Sequence, residues 1–237
     1  MAAPHRLLDR NDTVLLVIDV QQRIDGVMAD QSHRPRLAVL VDACTVLSVP
    51  VVATEQYPKG LGATVDDLAA RLPGPAIVKE TFSCAREPAA QRAIQATGRR
   101  QVIVTGIEAH VCVLQTVLDL IGEGLDVHVP HDAVNSRRPS DKRWALHRMA
   151  AAGAVVTSTE SALFELLERC GTEEFKAISK LVKELPVEDG GARSRGGGGG
   201  AARAGGGGGR GGGRPRPPPP PPPPPRPPPT AGGGATD

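Results

Sequence analysis

Three residues of this 237-residue chain carry side chains that could together perform nucleophilic catalysis: Asp19, Lys79 and Cys112. Each follows or closes a short apolar run. Asp19 ends "TVLLVID", Lys79 stands in "AIVKE", and Cys112 comes after Val102-Ile103-Val104 and the break at Thr105-Gly106. A thiolate can attack a carbonyl, a carboxylate can move protons, and an ammonium can hold charge. The segment Val113-Leu114-Gln115-Thr116-Val117-Leu118 has helical apolar spacing, so Cys112 is expected where a helix begins. Unpaired N–H groups there should lower the thiol's pKa and offer donors to an oxyanion. His110 suggests a Cys–His pair. Residues two apart at a helix start point in different directions, however, so His110 is expected to line the pocket or an interface. Glu55, His131 and Asp132 also follow strand ends and read as loop solvation or caps. Cys44 and Cys170 read as structural.

The elements that must hold these residues are legible as alternating patterns. Strands are expected at 13–20, 49–55, 76–80, 101–105, 126–130 and 154–158. Between them, helices are expected over 35–48, with Leu37, Leu40, Val41 and Cys44 on one face, over 64–72, and over 87–98, closed by Gly98. Others are expected from Cys112 to about Glu123, over 140–153, capped by Ser140, and in "TESALFELLER", capped by Ser158 or Thr159. "EEFKAISKLVKEL" is a last helix. Strands alternating with helices give an α/β fold with a parallel sheet covered on both faces, whose ligands sit outside the carboxyl ends of the strands. No G-x-G-x-x-G follows any strand, so dinucleotide binding has no support.

In order along the chain, "LLVIDVQ", "TEQYPKGLG", "IVKETFS", "TGIEAHVCV", "GLDVHV" and "EFKAISKLVKEL" resemble the isochorismatase-like cysteine hydrolases over residues 10–186. The resemblance implies a three-layer α/β/α sandwich with a parallel sheet of about six strands. It implies a catalytic triad of Asp19, Lys79 and Cys112. It further implies a cis peptide between Ile107 and Glu108, with the N–H groups of Glu108 and Cys112 as the oxyanion hole. The implied activity is hydrolysis of a small amide or ureido-type C–N bond through a thioester. Asp19 would take the thiol proton, and Lys79 would keep Asp19 ionised. Gln21, Gln56, Tyr57, Phe82 and His110 are expected around the substrate. Family nicotinamidases carry an Asp-x-His metal cluster after the second strand. Here Glu55-Gln56-Tyr57-Pro58 stands in its place, so no metal and no cofactor are expected. Isochorismatases proper lack the nucleophilic cysteine, so the family name does not supply the substrate.

Composition separates the remainder. From residue 187 onward the chain is Gly, Pro, Arg and Ala, ending in "RPRPPPPPPPPPRPPP" before its last residues. Such a segment has little apolar surface to offset the entropy of ordering and is expected to be disordered, with local polyproline II. Its seven arginines against Glu188, Asp189 and Asp237 give +4, whereas the whole chain is +2, leaving about −2 on residues 1–186. The domain therefore shows no basic signature, and its few aromatics leave little for base stacking, so nucleic acid is not an expected partner. Arg-flanked polyproline is what SH3- and WW-type domains bind, and a catalytically silent interaction protein is the alternative reading. "MAAPHRLLDRNDT" has no apolar signal region, and no run approaches a membrane span. With four scattered cysteines, the expectation is a reduced, cytoplasmic homo-oligomer acting on a small molecule.

Overall fold

A computed structural model describes residues 7–186. The readings of residues 187–237, including disorder and SH3 or WW binding, fall outside the described residues. The apolar runs form a parallel sheet of β1 (Thr13–Ile18), β2 (Val51–Gln56), β3 (Ile77–Lys79), β4 (Gln101–Ile107), β5 (Asp126–Pro130), β6 (Val134–Asn135) and β7 (Val155–Thr157). Its order is β3-β2-β1-β4-β5-β7, with β6 pairing to β4. Among the described residues the sheet has seven strands rather than about six. The two-residue β6 continues the ladder at the carboxyl end of β4, opposite Gly106 and Ile107, and is too short to show a pattern in sequence.

Helices cover both faces, as a buried parallel sheet requires. β1 shows this residue by residue. Leu15 and Val17 pack into one core, with Leu37, Leu40, Leu163 and Ile178. These come from α2 (His33–Val46), α8 (Thr159–Leu167) and α9 (Glu173–Lys183). Val14, Leu16 and Ile18 pack into the other, with Ile94, Val117 and Met149. These come from α5 (Pro88–Ala96), α6 (Leu114–Gly122) and α7 (Pro139–Ala151). The expected face of α2 (Leu37, Leu40, Val41 and Cys44) is fully buried. The short helices α1 (Gln22–Asp25), α3 (Pro58–Leu61) and α4 (Asp66–Ala69) lie in the connections near the carboxyl ends of β1 and β2.

Four expectations need correction. β4 does not break at Thr105-Gly106 but runs on to Ile107, with Gly106 paired to Ile18 of β1. β1 stops at Ile18 rather than at residue 20, because Asp19 takes a left-handed backbone (φ 53°) that no strand continues. The helix expected over 64–72 shrinks to α4, Asp66–Ala69. Ser140 does not cap α7: Pro139 already occupies the first turn, and Arg138 stands at the cap without a side-chain bond. Ser158 does cap α8, accepting from the Ser161 N–H. Among the described residues, no helix is long and apolar enough to cross a membrane.

Candidate active site

The chain winds outward from β1 through β2 to β3, then returns to lay β4 on the other side of β1. The carboxyl ends of β1 and β4 therefore flank the point where the winding reverses, which is where open α/β sheets bind ligands. Asp19 follows β1 directly. Lys79 is the last residue of β3, with β2 between them. Cys112 lies in a π-helical turn, Ala109–Val113, that leads from β4 into α6. The peptide between Ile107 and Glu108, at the end of β4, is cis.

Asp19 and Lys79 form an ion pair of 2.7 Å with both side chains buried. Two unit charges are withdrawn from water here, which is tolerable only with close pairing and further hydrogen bonds. The ammonium donates to Gln56 Oε1 at 2.6 Å and to the carbonyls of Thr81 and Phe82 at 3.1 Å each. Those three acceptors account for its three N–H groups. Asp19 Oδ1 accepts from Thr54 Oγ1 at 2.8 Å. Oδ2 sits against the ammonium yet takes no directed hydrogen bond. It is a buried carboxylate oxygen held 2.7 Å from a positive charge. Burial works against the charge on Lys79. The carboxylate of Asp19, with Cys112 and Cys84 adding to it, outweighs that penalty and holds the ammonium above its ordinary pKa.

Cys112 is 6 % exposed and shares this electrostatic environment. Loss of solvent pushes its thiol up, the Asp19 carboxylate adds to the rise, and Lys79 only partly opposes it. This reverses the expectation that the helix start and Lys79 would lower the pKa. The site at rest holds a protonated sulfur beside a carboxylate.

Gln21 is fully buried, and its amide is consumed by backbone: Oε1 accepts from Gln56 N, and Nε2 donates to Gln56 O and Gly62 O. Gln56, through Lys79 Nζ and Glu80 O, likewise holds the site together. Tyr57 and Phe82 are about half exposed, and both are anchored to Lys79: Tyr57 N bonds Lys79 O, and Phe82 O accepts from Nζ. The His110 ring is held by Ser136 and Asp141, with Nδ1 3.0 Å from Ser136 Oγ and Nε2 3.9 Å from Asp141. The Glu108 carboxylate accepts from Arg137 N and Nε. Glu55 accepts from Thr64 N and Oγ1, and Asp132 accepts from Thr159 N and Oγ1 at the start of α8; both serve local structure. Among the described residues, no three His, Cys, Asp or Glu side chains gather as a metal site.

Two residues at the site carried no sequence signal. Thr54 looked like any β-branched strand residue. Cys84 lies in a one-turn 3₁₀ helix, Cys84–Arg86. Its sulfur is 3.6 Å from Thr54 Oγ1, and its N–H donates to Thr116 Oγ1, which in turn donates to Cys112 O. Only tertiary packing brings it to Cys112.

Residues 13–161 match the profile of the isochorismatase domain. Isochorismatase domain-containing protein 2 of Bos taurus is 38% identical over 195 residues, covering 81% of this chain and 94% of that protein. The MAR1 ribonuclease structure from Caenorhabditis elegans superposes with a TM-score of 0.72 at 36% identity, over 77% of this chain and 95% of that one. The YcaC gene product from Escherichia coli, described as an octameric hydrolase of unknown specificity, gives 0.71 at 26% identity, over 76% and 92%. By the profile match over more than half its length and by these identities, the chain belongs to the isochorismatase family of hydrolases.

Proposed function

We propose that this hydrolase cleaves a small amide or ureido-type C–N bond through a thioester on Cys112. The observation that carries the reading is the buried Asp19 carboxylate, paired at 2.7 Å with the Lys79 ammonium and interacting with a thiol, that of Cys112, whose proton is held by burial and by that carboxylate. In the first step sulfur attacks the carbonyl carbon while its proton passes to Oδ2, so a C–S bond forms as the S–H bond breaks. The carbonyl π electrons move to oxygen, and the backbone N–H groups of Glu108 and Cys112 stabilise that oxyanion. The intermediate then collapses, the C–N bond breaks, and Asp19 returns the proton to the departing nitrogen. Water attacks the thioester with Asp19 as base, the C–S bond breaks, and sulfur regains its proton. Lys79 keeps the carboxylate ionised between proton transfers. Because the thiol is protonated at rest, the proton leaves during attack rather than before it.

In this reading Tyr57, Phe82 and His110 contact the substrate, while Gln21 and Gln56 fix the framework. The reaction needs no metal or cofactor. The octameric state described for YcaC supports a homo-oligomer here too, which light scattering after size exclusion measures. The test is a screen of small amides and ureido compounds with wild type and Cys112→Ala. The ribonuclease name of one neighbour makes an RNA oligonucleotide a necessary member of that screen. Release of an amine that disappears in Cys112→Ala is the expected result. Turnover that persists in Cys112→Ala overturns the thioester.

A further inference from the structure

Asp19 is gripped twice by one residue of the neighbouring strand. Its N–H donates to the Thr54 carbonyl at 3.1 Å, and its Oδ1 accepts from the Thr54 hydroxyl at 2.8 Å. A carboxylate only accepts, so the Thr54 hydroxyl proton must point at Oδ1. The Cys84 sulfur, 3.6 Å from the same hydroxyl, is then the donor of that pair, and its S–H points at Thr54. Thr54 and Cys84 are 1 % and 0 % exposed, so no water competes for these bonds. The chain Cys84 S–H to Thr54 O–H to Asp19 Oδ1 leaves Thr54 no second choice of acceptor. It also fixes the rotation of the carboxylate. With Oδ1 pinned, Oδ2 is the oxygen turned to Lys79, 2.7 Å from its ammonium.

We propose that Thr54 is a positioning residue for hydrolysis, and that its hydroxyl, oriented by the Cys84 thiol, holds the Asp19 carboxylate so that Oδ2 meets the Cys112 proton. The proposal rests on the reading of Asp19 and Cys112 as base and nucleophile. Thr54 is buried and presents no surface to a substrate, so its removal should leave binding alone and slow the proton-transfer steps. Without the hydroxyl, the carboxylate can rotate and offer Oδ1 and Oδ2 interchangeably, and a base held out of line loses rate.

The probe is p-nitrophenyl acetate, an activated ester that acylates a nucleophilic thiol and requires a base for release of the acyl group. Wild type, Cys112→Ala, Asp19→Asn, Thr54→Val and Thr54→Ser are compared for kcat and KM, with melting temperatures alongside. Expected is a loss in kcat of about tenfold to a hundredfold for Thr54→Val, within the range of general-base assistance, with KM unchanged within about twofold. Thr54→Ser, which keeps the hydroxyl, should recover kcat to within about threefold of wild type. Thr54→Ala also lacks the hydroxyl and makes the same comparison if Thr54→Val folds poorly. Wild-type turnover in Cys112→Ala or Asp19→Asn would sink the underlying reading. Losses in those two variants with Thr54→Val like wild type overturn the role of Thr54 alone. So does equal impairment of Thr54→Val and Thr54→Ser, which would mean that Thr54 acts by shape and not by its hydroxyl.

Discussion

Cys112 keeps its proton at rest because its surroundings penalise the thiolate, first by burial and then by the charge of Asp19. Alkylation and catalysis should therefore respond to Asp19 in opposite directions. Iodoacetamide consumes thiolate, so labelling of Cys112 at neutral pH should be slower than that of exposed Cys170 and should climb as pH rises through 9. Asp19→Asn removes an anion, favours the thiolate beside Lys79, and should speed this labelling while cutting kcat/KM by about 10²–10⁴-fold. Peptide mass spectrometry and steady-state kinetics measure the two effects; slower labelling in Asp19→Asn would contradict the electrostatic account. His110→Ala should lose much less activity, since its ring nitrogens face Ser136 and Asp141. A His110→Ala loss as deep as that of Asp19→Asn would point to a Cys–His mechanism instead. Asp19, Lys79 and Cys112 could be singled out in sequence because an acid, a lysine and a thiol at strand ends interrupt apolar patterns. Thr54 and Cys84 could not, because a threonine in a strand and a cysteine in a short turn are ordinary. The direction of the thiol's shift was also illegible. It depends on how completely Asp19 and the sulfur are buried together, which spacing does not encode.

Among the elements, β1 and β4 bear the closest constraint. At Gly106 the backbone has φ 107°, and a Cβ built there would lie 2.1 Å from the Ile18 carbonyl oxygen, one residue before Asp19. Both the dihedral and the space require glycine. Gly106→Ala should drive β4 away from β1, with a large fall in melting temperature and loss of activity in whatever folds. Near-native melting and turnover in that variant would show that the two strands can separate without harm. Continuous apolar runs made the long strands readable, because a strand buried on both faces has no polar side to confuse it. The structure departs from the sequence pattern at ends and in short pieces. α4 broke off early, Pro139 took over the start of α7, and β6 is two residues long. In each case a local turn, not periodicity, decides the outcome.

Across the whole molecule, buried titratable groups set a pH window for stability. Burial pushes Cys44 up to about 12 and Cys84, where Asp19 adds to the effect, up to about 11; Cys112 rises too. An unfolded thiol ionises near about 8.5. The native state thus retains protons that the unfolded chain releases. The stabilisation is complete below that value and is lost as pH climbs toward the folded pKa values. His128 acts on the other side: burial lowers its pKa, so stability falls as pH drops below about 6.5. The melting temperature should decline on both flanks, with a shallower alkaline decline in Cys44→Ala; an unchanged alkaline slope would remove Cys44 from this account. Deleting residues 188–237 should alter neither melting temperature nor kcat, because that segment is almost wholly Gly, Pro, Arg and Ala and every site residue precedes it. A drop in either on truncation would give the segment a part in the folded domain. The reversal of winding between β1 and β4 has a modular consequence. Asp19 and Lys79 arrive on the first run of strands and Cys112 on the second, with residues 97–100 as the joint between α5 and β4. A gene cut at that joint should yield two polypeptides, neither able to hydrolyse alone under the proposed mechanism, whose reunion would be reported by restored hydrolysis, as in a complementation sensor.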